Sequence, residues 1–278
     1  MKNITILMMA LVFILISACT STTNLGTAGA ERKQFFIVPQ KLLTKQADRT
    51  YQQFIHQVKD KQLLIIDPKL DQVLNKLKQN AEFYRHGSSQ WDWQVSGNLN
   101  KDLNAHGFPS GKIVINTGLY WSLKLTEDEL AFVMAHEMAH ALRDHHREKI
   151  SLLFASQVAM ISSTAGIGAL ATAASSVTGQ AVFLPKVSKF ELEADVLALD
   201  LMSKTGFDPN AALSFWHKYQ QETTRRQMLD VKPLMTQDSI DKRKIYIEKY
   251  LPEMHIQFQQ AQALMLNIKC DNSWHILD

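Results

Sequence analysis

Ala135-His136-Glu137-Met138-Ala139-His140 is the stretch from which the rest of the chain can be read. Residues four apart on an α-helix share a face, so His136 and His140 present two imidazoles to one metal ion, while Glu137 sits about 100° round, beside an open coordination position. The spacing works only if the segment is helical. Thr126-Glu127-Asp128-Glu129 reads as a capping box, and Leu130, Phe132, Val133 and Met134 follow it, predicting a helix from about Glu127 past His140.

Two histidines leave a metal one ligand short. The best source of the third is Phe190-Glu191-Leu192-Glu193-Ala194-Asp195, in which Glu191 and Asp195 are four apart and share a helical face, whereas Glu193 points away. Glu191 is therefore assigned as a ligand, and Asp195 as the acceptor that holds the outer N–H of a ligand histidine. The alternative is a second capping box, Ser188-Lys189-Phe190-Glu191, with Asp195 a solvated charge.

HExxH followed some fifty residues later by ExxxD, ending here in Glu-Ala-Asp, resembles the gluzincin metallopeptidases related to HtpX and the CAAX prenyl proteases. Within that group the chain is similar to bacterial outer-membrane lipoprotein members, over about Trp91 to Pro252. The resemblance implies a helix-rich α+β fold of zincin type, with a small antiparallel sheet beside the HExxH helix. It also implies one Zn²⁺ on His136, His140 and Glu191, with Glu137 as general base. Leu234 to Arg243 aligns with a family loop in which a His precedes an Arg by six residues and approaches the zinc. Arg243 is present, and the resemblance makes it a group that positions substrate or stabilises an oxyanion. The His position is Gln237. The activity so implied is endopeptidase cleavage of extended or misfolded envelope proteins, with a catalytically weak chaperone or assembly factor on the same zinc fold as the alternative. Retention of Glu137 counts against that alternative and Gln237 for it.

Met1-Lys2-Asn3 followed by the apolar run Ile4 to Ile16 reads as a secretory signal, residues 1–18, because the run is short for a bilayer span. Leu15-Ile16-Ser17-Ala18-Cys19 resembles a lipobox, which makes Cys19 the lipidation site; an ordinary signal with an incidental Cys is the alternative. Thr20 after the cysteine favours the outer membrane, on its periplasmic face, by resemblance to bacterial lipoproteins. Residues 19–32, rich in Ser, Thr, Gly and Ala, read as a flexible tether, and 33–278 as one metallopeptidase domain without repeat or linker. Hydrophobic content of 46% and charged content of 21% are ordinary for a globular protein. A net charge of +3 without a Lys/Arg cluster gives no case for nucleic acid. With Cys19 used as anchor, Cys270 is the remaining thiol, so no internal disulfide forms.

Helices are expected over Lys41 to Lys61, after Asp67-Pro68, up to Lys204-Thr205-Gly206, after Asp208-Pro209, and over Glu253 to Ile268 on a stripe of Met254, Phe258, Ala261, Leu264, Met265 and Ile268. Phe215, Trp216 and Tyr219 read as core. Alternation at Trp91, Trp93 and Val95, and the run Lys112 to Thr117, predict strands. Asn104 to Gly111 between them is similar to the family's segment leading into the strand that edges the active-site cleft, where an open edge holds an extended peptide, with a plain β-hairpin in the core as the alternative; His106 reads as a surface residue. Asp144, His145, His146 and Arg147 read as solvated. Ile150 to Pro185 carries no charged residue, and is expected to form a low-polarity helix and loop beside the cleft, a lid, with membrane contact left open.

Overall fold

The computed structural model describes residues 19–24, 28–30, 32–164, 188–229 and 235–273. The expected signal peptide and residues 165–185 of the neutral segment lie outside them.

The chain forms helices α1 (Gln40–Asp60), α2 (Pro68–Leu77), α3 (Glu127–Leu142), α4 (His145–Thr164), α5 (Ser188–Lys204), α6 (Ala211–Gln227) and α7 (Gln237–Ser273) and a small sheet. α3 is at the centre, packed on α5, α2, α6 and the strand Ala105–Gly107. Its sequence explains the position. Leu130, Ala131, Phe132, Met134, Ala135, Met138 and Ala139 cover most of its circumference and are all buried, and a helix apolar nearly all round belongs in a core. The capping box is present as read: Thr126 Oγ1 accepts from Glu129 N at 3.2 Å, and Glu129 Oε2 accepts from Thr126 N at 2.8 Å. Lys218 Nζ on α6 donates to the same carboxylate at 2.6 Å, so the cap also ties two helices together.

α3 ends at Asp144, whose φ of +51° puts a non-glycine residue in the left-handed region. Arg85 makes this tolerable by donating Nη1 to the carbonyls of Ala141 and Leu142 and Nη2 to Asp144 at 3.1 Å. The chain turns sharply there, and α4 begins with His145 directed back toward His140.

The sheet has strands β3 (Leu64–Ile65), β4 (Gln94–Asn98), β5 (Ala105–Gly107) and β6 (Lys112–Asn116) in the order β3-β4-β6-β5. It is mixed, where an antiparallel sheet was expected: β4 and β6 run parallel with Val95 opposite Ile113, and the other pairings are antiparallel. Every residue of β6 is buried, as an inner strand covered on both faces requires. β5, within the segment expected to lead into the cleft strand, is itself the edge.

The residues after Cys19 differ from the expected tether. β1 (Cys19–Thr20) pairs antiparallel with β2 (Gln34–Phe35), Ser21 Oγ and Thr23 Oγ1 accept from Arg143 Nη1 at 3.0 and 3.1 Å, and Ala30 is buried. A Cβ on Gly29, which has φ +70°, would lie 2.8 Å from Val196 Cβ, so the segment lies directly against α5.

The last helix is longer than expected, since α7 continues through Pro252. Met254 and Ala261 of the expected stripe are buried, but Leu264 and Met265 are exposed, because the helix leaves the core where Gln262 Nε2 donates to Gly206 O at 2.9 Å. The Cys270 side chain lies outside the described part. No helix among the described residues is long and apolar enough to cross a membrane.

Candidate metal centre

One turn of α3 separates His136 and His140, and their Nε2 atoms are 3.1 Å apart. α5 brings Glu191 against both, with Oε2 at 3.5 Å from His136 Nε2 and Oε1 at 3.7 Å from His140 Nε2. A tetrahedral ion with bonds of about 2.0–2.1 Å separates its ligand atoms by about 3.4 Å, so this donor set fits zinc in spacing and in chemistry. Among the described residues these three form the group able to hold a metal ion. His136 and Glu191 are buried, which strengthens any electrostatic interaction at the site.

Asp195, on the same face of α5 as Glu191, is fully buried, with Oδ1 at 3.0 Å from His136 Nδ1. Burial works to raise its pKa, but the charge of Arg243 and the hydrogen bonds from His136 and Arg243 outweigh it and hold the carboxyl below its ordinary value. Burial lowers the pKa of His140 well below the ordinary range and so favours the neutral ring that metal binding needs. At His136, burial and Arg243 press the same way, yet the hydrogen bonds to Asp195 and Glu191 prevail and the pKa is raised.

Arg243 lines the cleft beside the donors and is held there by the carboxylates of α5. Its guanidinium is 4% exposed, donating Nε and Nη2 to Asp195 at 2.7 and 2.5 Å and Nη1 to Glu191 at 3.1 Å, and it lies 4.3 Å over the Trp216 ring. These contacts orient the carboxylates. Gln237 is exposed at the start of α7 and donates to Asp241 at 3.0 Å. Six positions along a helix are about 600° of turn, which puts Gln237 about 120° away from the inward-facing Arg243.

Glu137 and His136 line a cleft with Asn104, Ala105, Phe132, Trp216, Tyr219 and Arg243 among its walls. Phe215, Trp216 and Tyr219 are core residues, as read, and also cleft wall. Gly107 N on β5 donates to Glu137 Oε2 at 2.6 Å, fixing the carboxylate against the sheet edge. The approach requires glycine, because a Cβ there would lie 2.9 Å from both Glu137 O and Oε2. His106 is exposed, as expected.

Asp144 and His145 are buried at 2% exposure, not solvated. His145 Nδ1 is 2.9 Å from His140 Nδ1, and its Nε2 is 3.0 Å from Glu193 Oε2. Glu193 does point away from the three donors, but into an ion cluster containing Arg32 and Arg143. The sequence signal for this cluster was a pair of histidines five and six residues beyond His140, which a helix continued straight through Asp144 would carry off the face of the site.

Residues 66–257 match the model of peptidase family M48. The chain is 28% identical to the mitochondrial metalloendopeptidase OMA1 of Schizosaccharomyces pombe over 84% of its length and 68% of that protein's. It is 24% identical to OMA1 of Saccharomyces cerevisiae over 63% of its length and 51% of that protein's. It is 30% identical to the beta-barrel assembly-enhancing protease of Escherichia coli K12, over 59% of its length and 36% of that protein's.

Proposed function

The chain belongs to peptidase family M48 and is a zinc metalloendopeptidase, and from that premise we propose that it degrades extended or misfolded polypeptides at a bacterial cell envelope. The observation that carries the reading is the convergence of His136, His140 and Glu191 beside a cleft lined by His136, Glu137 and Ala105 of the edge strand β5. Zinc, when bound, supplies a Lewis acid that polarises the scissile carbonyl and acidifies water. Glu137 takes the proton from the attacking water and passes it to the leaving amine, with Gly107 N holding one carboxylate oxygen so that the other faces the reaction. β5 offers backbone hydrogen bonds to a substrate strand without reading its sequence, which selects for extended chains. Arg243 and Asp195 keep Glu191 and His136 in place through the cycle.

A substrate that must enter as a strand has to be unfolded there first. Incubation of the protein with the unfolded and native forms of one polypeptide is expected to cleave the unfolded form at least tenfold faster, and equal rates would contradict the reading. Location at the periplasmic face of the outer membrane, through a lipid on Cys19, belongs to the same proposal and rests on the sequence pattern ending at that residue. Cys19→Ala is expected to lose acyl label and leave the outer-membrane fraction; an unlabelled protein that still fractionates there would refute a lipid anchor.

A further inference from the structure

The two histidine ligands are supported in different ways. His136 meets a carboxylate directly, with Nδ1 at 3.0 Å from Asp195. His140 meets another imidazole, His145, and only through it the carboxylate of Glu193. Two ring nitrogens 2.9 Å apart form a hydrogen bond only when one donates and the other accepts. A ligand His140 keeps the lone pair of Nε2 for the metal, so its proton is on Nδ1 and is donated to Nδ1 of His145. The proton of His145 is then on Nε2, where Glu193 accepts it. This tautomer pattern is assigned from the network, and it satisfies every ring nitrogen in the chain of contacts.

The intermediate ring is itself held. Phe190 stacks on His145 with centroids 4.9 Å apart and planes 20° from parallel. Glu193 also accepts from Arg32 Nε at 2.5 Å and Nη2 at 3.0 Å, and Arg32 Nη2 reaches Glu148 at 2.9 Å. Arg32 belongs to the segment that joins Cys19 to the domain, and Gln34 beyond it donates to Glu148 at 3.1 Å. Metal-ligating histidines ordinarily pass their outer N–H straight to a carboxylate or carbonyl. Placing a second imidazole between them moves the carboxylate one ring outward, into reach of the N-terminal segment.

We propose that His145 is a positioning residue for His140, and that Arg32, acting through Glu193, makes the N-terminal segment part of the support of the metal centre. The proposal rests on the zinc reading of the site. It is tested on the full-length protein by competition for zinc with a chromophoric chelator, and by the visible spectrum of the cobalt-substituted form, neither of which depends on turnover. His145→Phe is expected to weaken zinc binding by roughly 10–100-fold and shift the cobalt bands. His145→Gln offers an amide oxygen to His140 and an amide N–H to Glu193, and is expected to restore most of the affinity. Arg32→Gln, at a partly exposed side chain, is expected to weaken binding by a smaller factor, because Glu193 keeps Arg143 nearby. Wild-type affinity in His145→Phe, or no recovery in His145→Gln, would overturn the proposal. Should His145→Phe fail to fold, Arg32→Gln decides alone, and unchanged affinity there overturns it. A wild-type protein that binds no zinc would instead refute the reading of the site itself.

Discussion

Glu137→Gln is expected to lower peptide hydrolysis by roughly 10²–10⁴-fold while zinc content stays at that of the wild type. The two side chains have the same shape, and a carboxamide oxygen can still accept from Gly107 N, which holds Glu137 Oε2 at 2.6 Å. What the substitution removes is the capacity to take a proton from water. Release of a fluorescent peptide, with metal measured on the same preparation, separates the outcomes. Retained turnover would mean that another group is the base. Loss of zinc would mean that Glu137 is a ligand and that the assignment of Glu191 is wrong.

Glu191→Ala is expected to have the largest effect on metal content. It leaves two imidazoles and no carboxylate at a site whose atoms are otherwise 3.1 to 3.7 Å apart, and it deprives Arg243 Nη1 of its carboxylate acceptor. The loss of affinity should exceed the roughly 10–100-fold that an outer hydrogen-bond partner costs. Glu193→Ala is the internal comparison, because its carboxylate touches His145 and Arg32 and no metal donor. If Glu193→Ala releases more zinc than Glu191→Ala after equal dialysis, the ligand set is misassigned.

The parts of this site that were legible in the sequence are those set by local geometry. Thr126 and Glu129 announce the start of α3, its apolar residues place it in the core, and four-residue spacing puts His136 with His140 and Glu191 with Asp195. The rest depends on contacts between distant segments. His145 reads as solvated because charged and polar residues at a helix end usually are, and what buries it is a left-handed turn at Asp144 that lacks the glycine by which such turns are recognised. Nothing local in Arg32 shows that it will meet Glu193 and Glu148, so the segment around it reads as tether. The parallel pairing of β4 with β6 is likewise invisible, since a five-residue strand carries no mark of its direction. Gly107 illustrates the middle ground: a glycine in a strand signals a close backbone approach, but not that Glu137 is what approaches.

Arg243, which the resemblance makes a substrate or oxyanion group, lines the cleft and also bridges Asp195 and Glu191 at 4% exposure, contacts that the sequence does not show. Leaving either carboxylate buried without this partner would be costly, which is sufficient reason for an arginine there.

Hydrolysis is expected to depend on one zinc ion held by His136, His140 and Glu191. The direct measurement is titration of zinc into metal-stripped protein while cleavage of an unfolded polypeptide is followed. Activity is expected to be absent at the start, to rise in proportion to added zinc, and to level off at one ion per chain. Cleavage that persists in the stripped protein, or none after a full equivalent of zinc is bound, would contradict it.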